Sequence, residues 1–250
     1  MTVSTTIDGP VAVVTIERPD VRNAIDLATA DALVDAVNAV EADEGVHAAV
    51  LTGAGDSFCA GFDLSLAADG VDYDPDGRAV LGITRTTTTK PFIAAVEGHA
   101  VAGGLELALW CDLRVASATA VFGVFCRRWG VPLIDGGTVR LPRIVGHGRA
   151  MDMILTGRGV GADEALAWGL ADRAVPAGSA REAAVALAHE IAAFPQVCLR
   201  ADRASAIGQW GRPLDEALAR EAHGGVEPLR TEAREGARRF VQGAGRHGAF

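Results

Sequence analysis

Ala94-Ala95-Val96-Glu97-Gly98-His99-Ala100-Val101-Ala102-Gly103-Gly104-Leu105-Glu106-Leu107 joins a buried-strand run, Phe92 to Val96, to a helical run, Leu105 to Cys111, through a glycine-rich turn, Gly98 to Gly104. Glycines at such a junction let the backbone approach a ligand and leave free N–H groups at a helix N-terminus. Backed by the helix dipole, those groups suit negative charge developing on an oxygen. Glu106 stands three residues after Gly103, so its carboxylate can face the same space one turn on. The stretch also has a purely structural reading. A glutamate three residues into a helix is a capping-box partner, and Gly-Gly permits tight packing.

Outward from there, the arrangement recurs. Ala48 to Thr52 reads as a short buried strand and runs into a second glycine-rich segment, Leu51-Thr52-Gly53-Ala54-Gly55-Asp56-Ser57-Phe58-Cys59-Ala60-Gly61-Phe62-Asp63-Leu64. Nearer the start, the turn signal Asp8-Gly9-Pro10 precedes the β-rich Val11 to Ile16, which predicts a hairpin. Asp26 is placed to cap a helix whose stripe is Leu27, Ala30, Leu33, Val34, Val37 and Val40, ending near Gly45. With a further strand at Leu113 to Ala116, the first half alternates strand and helix at α/β spacing. Ala150 to Thr156, Ala162 to Trp168 and Ala180 to Phe194 are helical in period, Pro195 and Pro213 start further helices, and the tail is rich in arginine and glycine. The expectation is an α/β core over 1–195 and a helical C-terminal region over 196–250.

Composition narrows the function classes. The formal charge of −9 and an aromatic content of 5%, with Tyr73 the single tyrosine, argue against nucleic acid, which needs a basic face and stacking platforms. Cys59, Cys111, Cys126 and Cys198 form no CxxC pair and read as reduced thiols. Met1 to Thr6 lacks the regions of a signal peptide, and no apolar run reaches the roughly 18–20 residues that span a bilayer. A soluble, cytoplasmic protein without membrane partners is expected. Gly53-Ala54-Gly55 lacks the third glycine of a dinucleotide fingerprint, because Phe58 stands there. There is no Walker A motif, no GxSxG elbow, and no second histidine to make His189-Glu190 a zinc site.

The two glycine-rich segments, in this order and each after a strand, resemble the crotonase (enoyl-CoA hydratase/isomerase) superfamily. The resemblance runs from Val11 to about Trp210. It takes in Glu17-Arg18-Pro19-Asp20-Val21-Arg22-Asn23-Ala24-Ile25, Cys111 to Ala116, Phe122-Gly123, Gly136-Gly137-Thr138, Leu141-Pro142-Arg143, Leu155 to Arg158 and Ala162 to Ala165. It implies a crotonase-like ββα spiral core, a helical C-terminal trimerisation region, and a homotrimer or hexamer. It also implies an acyl-CoA substrate whose thioester carbonyl is held by the backbone N–H groups of Phe62 and Gly103, with no metal and no separate cofactor. Arg22, Ala24, Ala60, Asp63 and Leu64 match positions that line the adenine and pantetheine pocket, beside Phe62 and Gly103. Arg22 is placed to meet a CoA phosphate, or is solvated surface.

Hydratases of this family use two glutamates, one orienting water for attack at C3 and one handling the proton at C2. Glu106 matches the first. The second belongs in a Phe-Gly-x-Pro-Glu segment, which here reads Phe122-Gly123-Val124-Phe125-Cys126, so Cys126 replaces it. A thiol is a poor stand-in for a carboxylic acid, and losing one acid/base group typically costs ~10²–10⁴-fold in rate. Water, Asp135 or Cys126 remain as sources of the C2 proton. Asp135 falls one position from an aspartate used by some dienoyl-CoA isomerases and dehalogenases of the family, where Ile134 aligns; it also reads as a turn residue or cap before the helix at Gly137. Cys126 reads as a small buried group rather than a nucleophile, and Arg127-Arg128-Trp129 would line or flank the pocket. The expectation is a hydratase-like lyase acting on 2-enoyl-CoA. A non-catalytic acyl-CoA-binding protein and other crotonase reactions, such as isomerisation, thioester hydrolysis and dehalogenation, are the alternatives.

Overall fold

The computed structural model describes residues 1–68, 70 and 73–245. Asp8-Gly9-Pro10 reverses the chain as expected, and β1 (Val3–Asp8) pairs antiparallel with β2 (Val11–Ile16). Asp26 accepts the Thr29 N–H at 2.7 Å and opens α1 (Leu27–Ala42), which packs on this hairpin. Ala30, Leu33, Val37 and Val40 are buried there, each large side chain contributing about 1.5–3 kcal/mol. Two members of the expected stripe differ: Leu27 is 55% exposed and Val34 half-buried. At ~100° per residue both lie roughly a quarter-turn off the centre of the buried face.

β3 (Ala48–Gly53) then lies parallel beside β2, and α2 (Leu64–Ala68) follows. β4 (Phe92–Val96), β5 (His99–Val101) and α3 (Gly103–Trp110) come next, then β6 (Leu113–Ser117) and β7 (Val121–Gly123). After a 3-10 turn at Phe125–Trp129 come α4 (Gly137–Val145), α5 (His147–Thr156), β8 (Gly159–Gly161), α6 (Ala162–Trp168), β9 (Arg173–Val175) and α7 (Ala180–Ala192). The larger sheet has the order β1-β2-β3-β4-β6-β9, parallel from β2 onward, and the smaller one β5-β7-β8. β2, β3 and β4 are buried almost throughout, which explains their continuous apolar runs.

The spiral is visible in how each turn of chain is spent. A strand of the large sheet is followed by a short extended segment, then by a helix. In the first turn the extended segment is Ile25, in the second Cys59 to Phe62, in the third β5, in the fourth β7. These segments form their own layer: Ile25 bridges Phe62, Cys59 bridges Ala100, and β5 pairs with β7, all parallel. The glycine-rich stretch Gly98–Gly104 is therefore not all turn. His99–Val101 becomes a strand because β7 supplies its partners, a long-range effect that outweighs local glycine content.

The chain's contacts divide it into two compact units, Met1–Ile191 and Ala192–Phe250. The second contains α8 (Gln196–Gly208), α9 (Leu214–Gly224), α10 (Val226–Thr231) and α11 (Ala233–Val241), with Pro195 and Pro213 preceding the first two. The last five residues of the expected helical region, 246–250, lie outside the described residues. No described helix is long and apolar enough to cross a membrane.

Candidate active site

Two consecutive turns of the spiral end side by side, and the backbone pattern decides which N–H groups they leave over. Ile25 donates to the Gly61 carbonyl (2.8 Å) and accepts from the Asp63 N–H (2.9 Å). In a parallel bridge this uses the groups flanking Phe62 and turns its own N–H to the other side. One turn on, Gly103 is the first residue of α3, and a first-turn N–H has no partner within its helix. Neither the Phe62 nor the Gly103 N–H has a protein acceptor among the described residues. The segments approach so closely that a Cβ on Gly61 (φ +98°) would stand 2.7 Å from Gly103 N, and one on Gly104 2.0 Å from the Cys59 carbonyl. Ala102, at the helix entry, holds φ 54°, a conformation unfavourable for a residue with a Cβ and of the kind that clusters at functional sites.

Phe62 and Gly103 both line a cavity of about 480 Å³, within the size range of small-molecule sites. Its walls are mostly apolar: Ala60, Phe62, Leu64, Leu81, Val101, Phe125, Trp129, Val131 and Ile134 among them, with Glu106, Cys126 and Asp135 as the titratable members besides Tyr73. Glu106 projects from α3 and is 3% exposed. Its Oε1 accepts the N–H groups of Asp135 (2.9 Å) and Gly137 (2.8 Å), and Gly137 is the first residue of α4. The carboxylate thus sits at the N-terminus of a neighbouring helix, a natural anion site, and does not cap its own, so the capping-box reading does not hold. Oε2 has no protein partner among the described residues. Burial pushes the Glu106 carboxyl up to about 7, against the two N–H bonds and the Arg140 charge, with the Asp135 carboxylate adding to the rise.

Of the remaining expected site residues, Asp135 and Cys126 also reach the cavity. Asp135 is buried, and its Oδ1 accepts from Thr84 Oγ1 (2.5 Å) and the Leu81 N–H (3.4 Å). Cys126 lies in the 3-10 turn, 6% exposed; burial, then the Glu106 charge, pushes its thiol up. Ala60 and Leu64 border the cavity, whereas Arg22, Ala24 and Asp63 stand outside its lining. Arg22 is exposed, in the left-handed region at φ 52°, and its carbonyl accepts from Ala60 N at 2.9 Å. Arg18 gathers the other two: its guanidinium donates to the Ala24 carbonyl and pairs with Asp63 (3.3 Å) and Asp26 (3.1 Å). Hydrogen bonds from Ser65, then Arg18, hold the Asp63 carboxyl below the usual range despite partial burial. Trp129 lines the cavity at 71% exposure, while Arg127 and Arg128 turn aside to the carbonyls of Ile154 and Gly157.

Thr84 and Arg140 were not anticipated as site residues. Arg140 Nη1 donates to the Asp135 carbonyl (3.0 Å) and Nη2 to the Thr84 carbonyl (2.6 Å). One signal was available: an arginine in the first turn of a helix opposes the dipole, so this cation needs another purpose. No group of metal-ligating side chains occurs among the described residues.

A family model for enoyl-CoA hydratase/isomerase matches residues 6–244. An enoyl-CoA hydratase of Mycobacterium tuberculosis is 36% identical over 242 residues, covering 94% of this chain and 91% of that protein. A short-chain-enoyl-CoA hydratase of Clostridium acetobutylicum is 36% identical over 230 residues, covering 90% and 88%. The crystal structure of an enoyl-CoA hydratase from Mycobacterium marinum superposes with a TM-score of 0.91 at 37% identity, covering 96% of both chains. A fold legible as a ββα spiral, a family model spanning nearly the whole chain and relatives aligned over most of their length agree: this chain belongs to the enoyl-CoA hydratase/isomerase family, the crotonase superfamily of acyl-CoA-processing proteins.

Proposed function

We propose that the chain adds water across the double bond of trans-2-enoyl-CoA thioesters. The observation that carries this reading is Glu106: a buried carboxylate with one oxygen fixed by two N–H groups, on the same apolar cavity as the unpaired N–H groups of Phe62 and Gly103. The Phe62 and Gly103 N–H groups would take the thioester oxygen and draw electrons from C3. Glu106 Oε2 would accept a proton from water as the water oxygen bonds to C3 and the π electrons move onto the thioester oxygen. Donors aimed at such an oxyanion typically contribute ~10²–10³-fold each.

The proton for C2 is the step this sequence alters. With its thiol pushed up, Cys126 is a weak acid. Asp135 has one oxygen engaged by Thr84 and Leu81. Glu106, raised to about 7, has a proton affinity near the operating pH, where acid–base catalysis is most effective. In this reading it returns to C2 the proton it took from water, the enolate collapses to the thioester, and the carboxylate is regenerated. Atoms balance as one water gained.

Mass spectrometry of a short trans-2-enoyl-CoA incubated with the protein in ¹⁸O-labelled water tests this. The expected product is the 3-hydroxyacyl-CoA carrying one label. Release of free CoA would make the chain a thioester hydrolase, and saturable binding without product an acyl-CoA-binding protein. The second unit leaves Leu214, Leu229, Phe240 and Val241 at least 63% exposed, apolar surface that supports the proposed trimer or hexamer; sedimentation at several concentrations tests that part.

A further inference from the structure

Thr84, Asp135, Gly136 and Arg140 form a cluster behind Glu106 that the proposed reaction does not use. The Arg140 guanidinium spans two chain segments, holding the Thr84 carbonyl (2.6 Å) and the Asp135 carbonyl (3.0 Å). Thr84 Oγ1 closes the ring onto Asp135 Oδ1. Between them the chain turns at Gly136 (φ +98°), where a Cβ would lie 2.1 Å from Arg140 Nη1. The N–H groups on either side of that turn, those of Asp135 and Gly137, are the two that grip Glu106 Oε1.

We propose that Arg140 is a positioning residue for Glu106: its two-pronged hold on the Thr84 and Asp135 carbonyls aims the gripping N–H groups, and its charge balances the Glu106–Asp135 pair. The Asp135 carboxylate shares this buried space with Glu106, and a like charge at close range opposes ionisation of Glu106. Arg140 faces both, with Cys111 and Arg143 as its further charged or titratable neighbours, and Cys126 faces Glu106 from the 3-10 turn. A planar fork reaches two carbonyls at once, whereas an ammonium is a point charge. The two contributions, aim and charge, therefore separate by substitution.

This rests on the hydratase reading for its kinetic arm only. The test compares the parent with Arg140→Met and Arg140→Lys in the full-length protein. Titration of the Glu106 carboxyl by infrared difference spectroscopy, assigned with Glu106→Gln, needs no substrate. Arg140→Met should move that midpoint up by about one pH unit or more, and Arg140→Lys should leave it near the parent value. On crotonyl-CoA, the acidic limb of kcat/KM should follow the same order, while kcat falls at least ~10-fold in both variants because the aim is lost. A purely structural arginine would lower activity without moving the midpoint. An unmoved midpoint in Arg140→Met overturns the proposal; should that variant not fold, a midpoint in Arg140→Lys displaced from the parent by about one pH unit or more, or parental kcat in Arg140→Lys, overturns it instead. If crotonyl-CoA is not hydrated but the Arg140→Met midpoint moves, the function proposed above fails and this one stands.

Discussion

Replacing Glu106 by Gln should make the protein more stable at alkaline pH while removing its chemistry. Folding raises the Glu106 carboxyl from an ordinary value of 4.5 to about 7. Between those values the folded state binds more protons than the unfolded chain, so stability falls as pH rises. At about 1.4 kcal/mol per pH unit of displacement, the penalty reaches about 3 kcal/mol once pH exceeds 7. It is absent below 4.5, where both states are protonated. Glutamine is uncharged and keeps an oxygen for the Asp135 and Gly137 N–H groups, so it escapes the penalty. The assay is urea unfolding of parent and Glu106→Gln at pH 5 and pH 8.5, at one protein concentration because assembly shifts apparent stability. The variant should gain on the parent by up to about 3 kcal/mol between the two conditions. Equal pH dependence in both proteins would refute the reasoning.

Gly61→Ala should place a Cβ 2.7 Å from Gly103 N at a backbone φ of +98° and cost at least ~10²-fold in kcat, the scale of one oxyanion donor; steady-state kinetics with a circular dichroism check of folding would decide it. Cys126→Glu should add a second carboxylate facing Glu106, raising hydration at pH 8 and moving the acidic limb of kcat/KM upward by about one unit; a limb that stays in place would contradict the mapped proximity. Asp26→Ala removes the cap of α1 and should cost about 1 kcal/mol in thermal unfolding, with kcat retained.

The fold was legible where local signals and burial agree. Asp8-Gly9-Pro10, the apolar runs of β2 to β4 and Asp26 each announce their element without help from distant residues. β5, β8 and β9 did not announce themselves: at three residues each they are too short to show a period, and they acquire extended structure from partners far along the chain. The same division applies to the site. Gly103 and Glu106 are neighbours in sequence, so the helix entry and the carboxylate were readable together. The grip on Glu106 comes from Asp135 and Gly137, and behind them Arg140 and Thr84, which lie up to 56 residues apart and carry no shared local pattern. Asp135 was singled out as a candidate proton source, but its backbone N–H, which sequence cannot weigh, is what touches Glu106.

The most direct measurement of the central claim is kcat/KM for hydration of a trans-2-enoyl-CoA at pH 8, followed as loss of the conjugated thioester absorbance, for parent and Glu106→Gln. The account predicts turnover by the parent and a loss of ~10²–10⁴-fold in the variant. Parental turnover in Glu106→Gln, or a parent that binds the thioester and leaves its double bond intact, would contradict it.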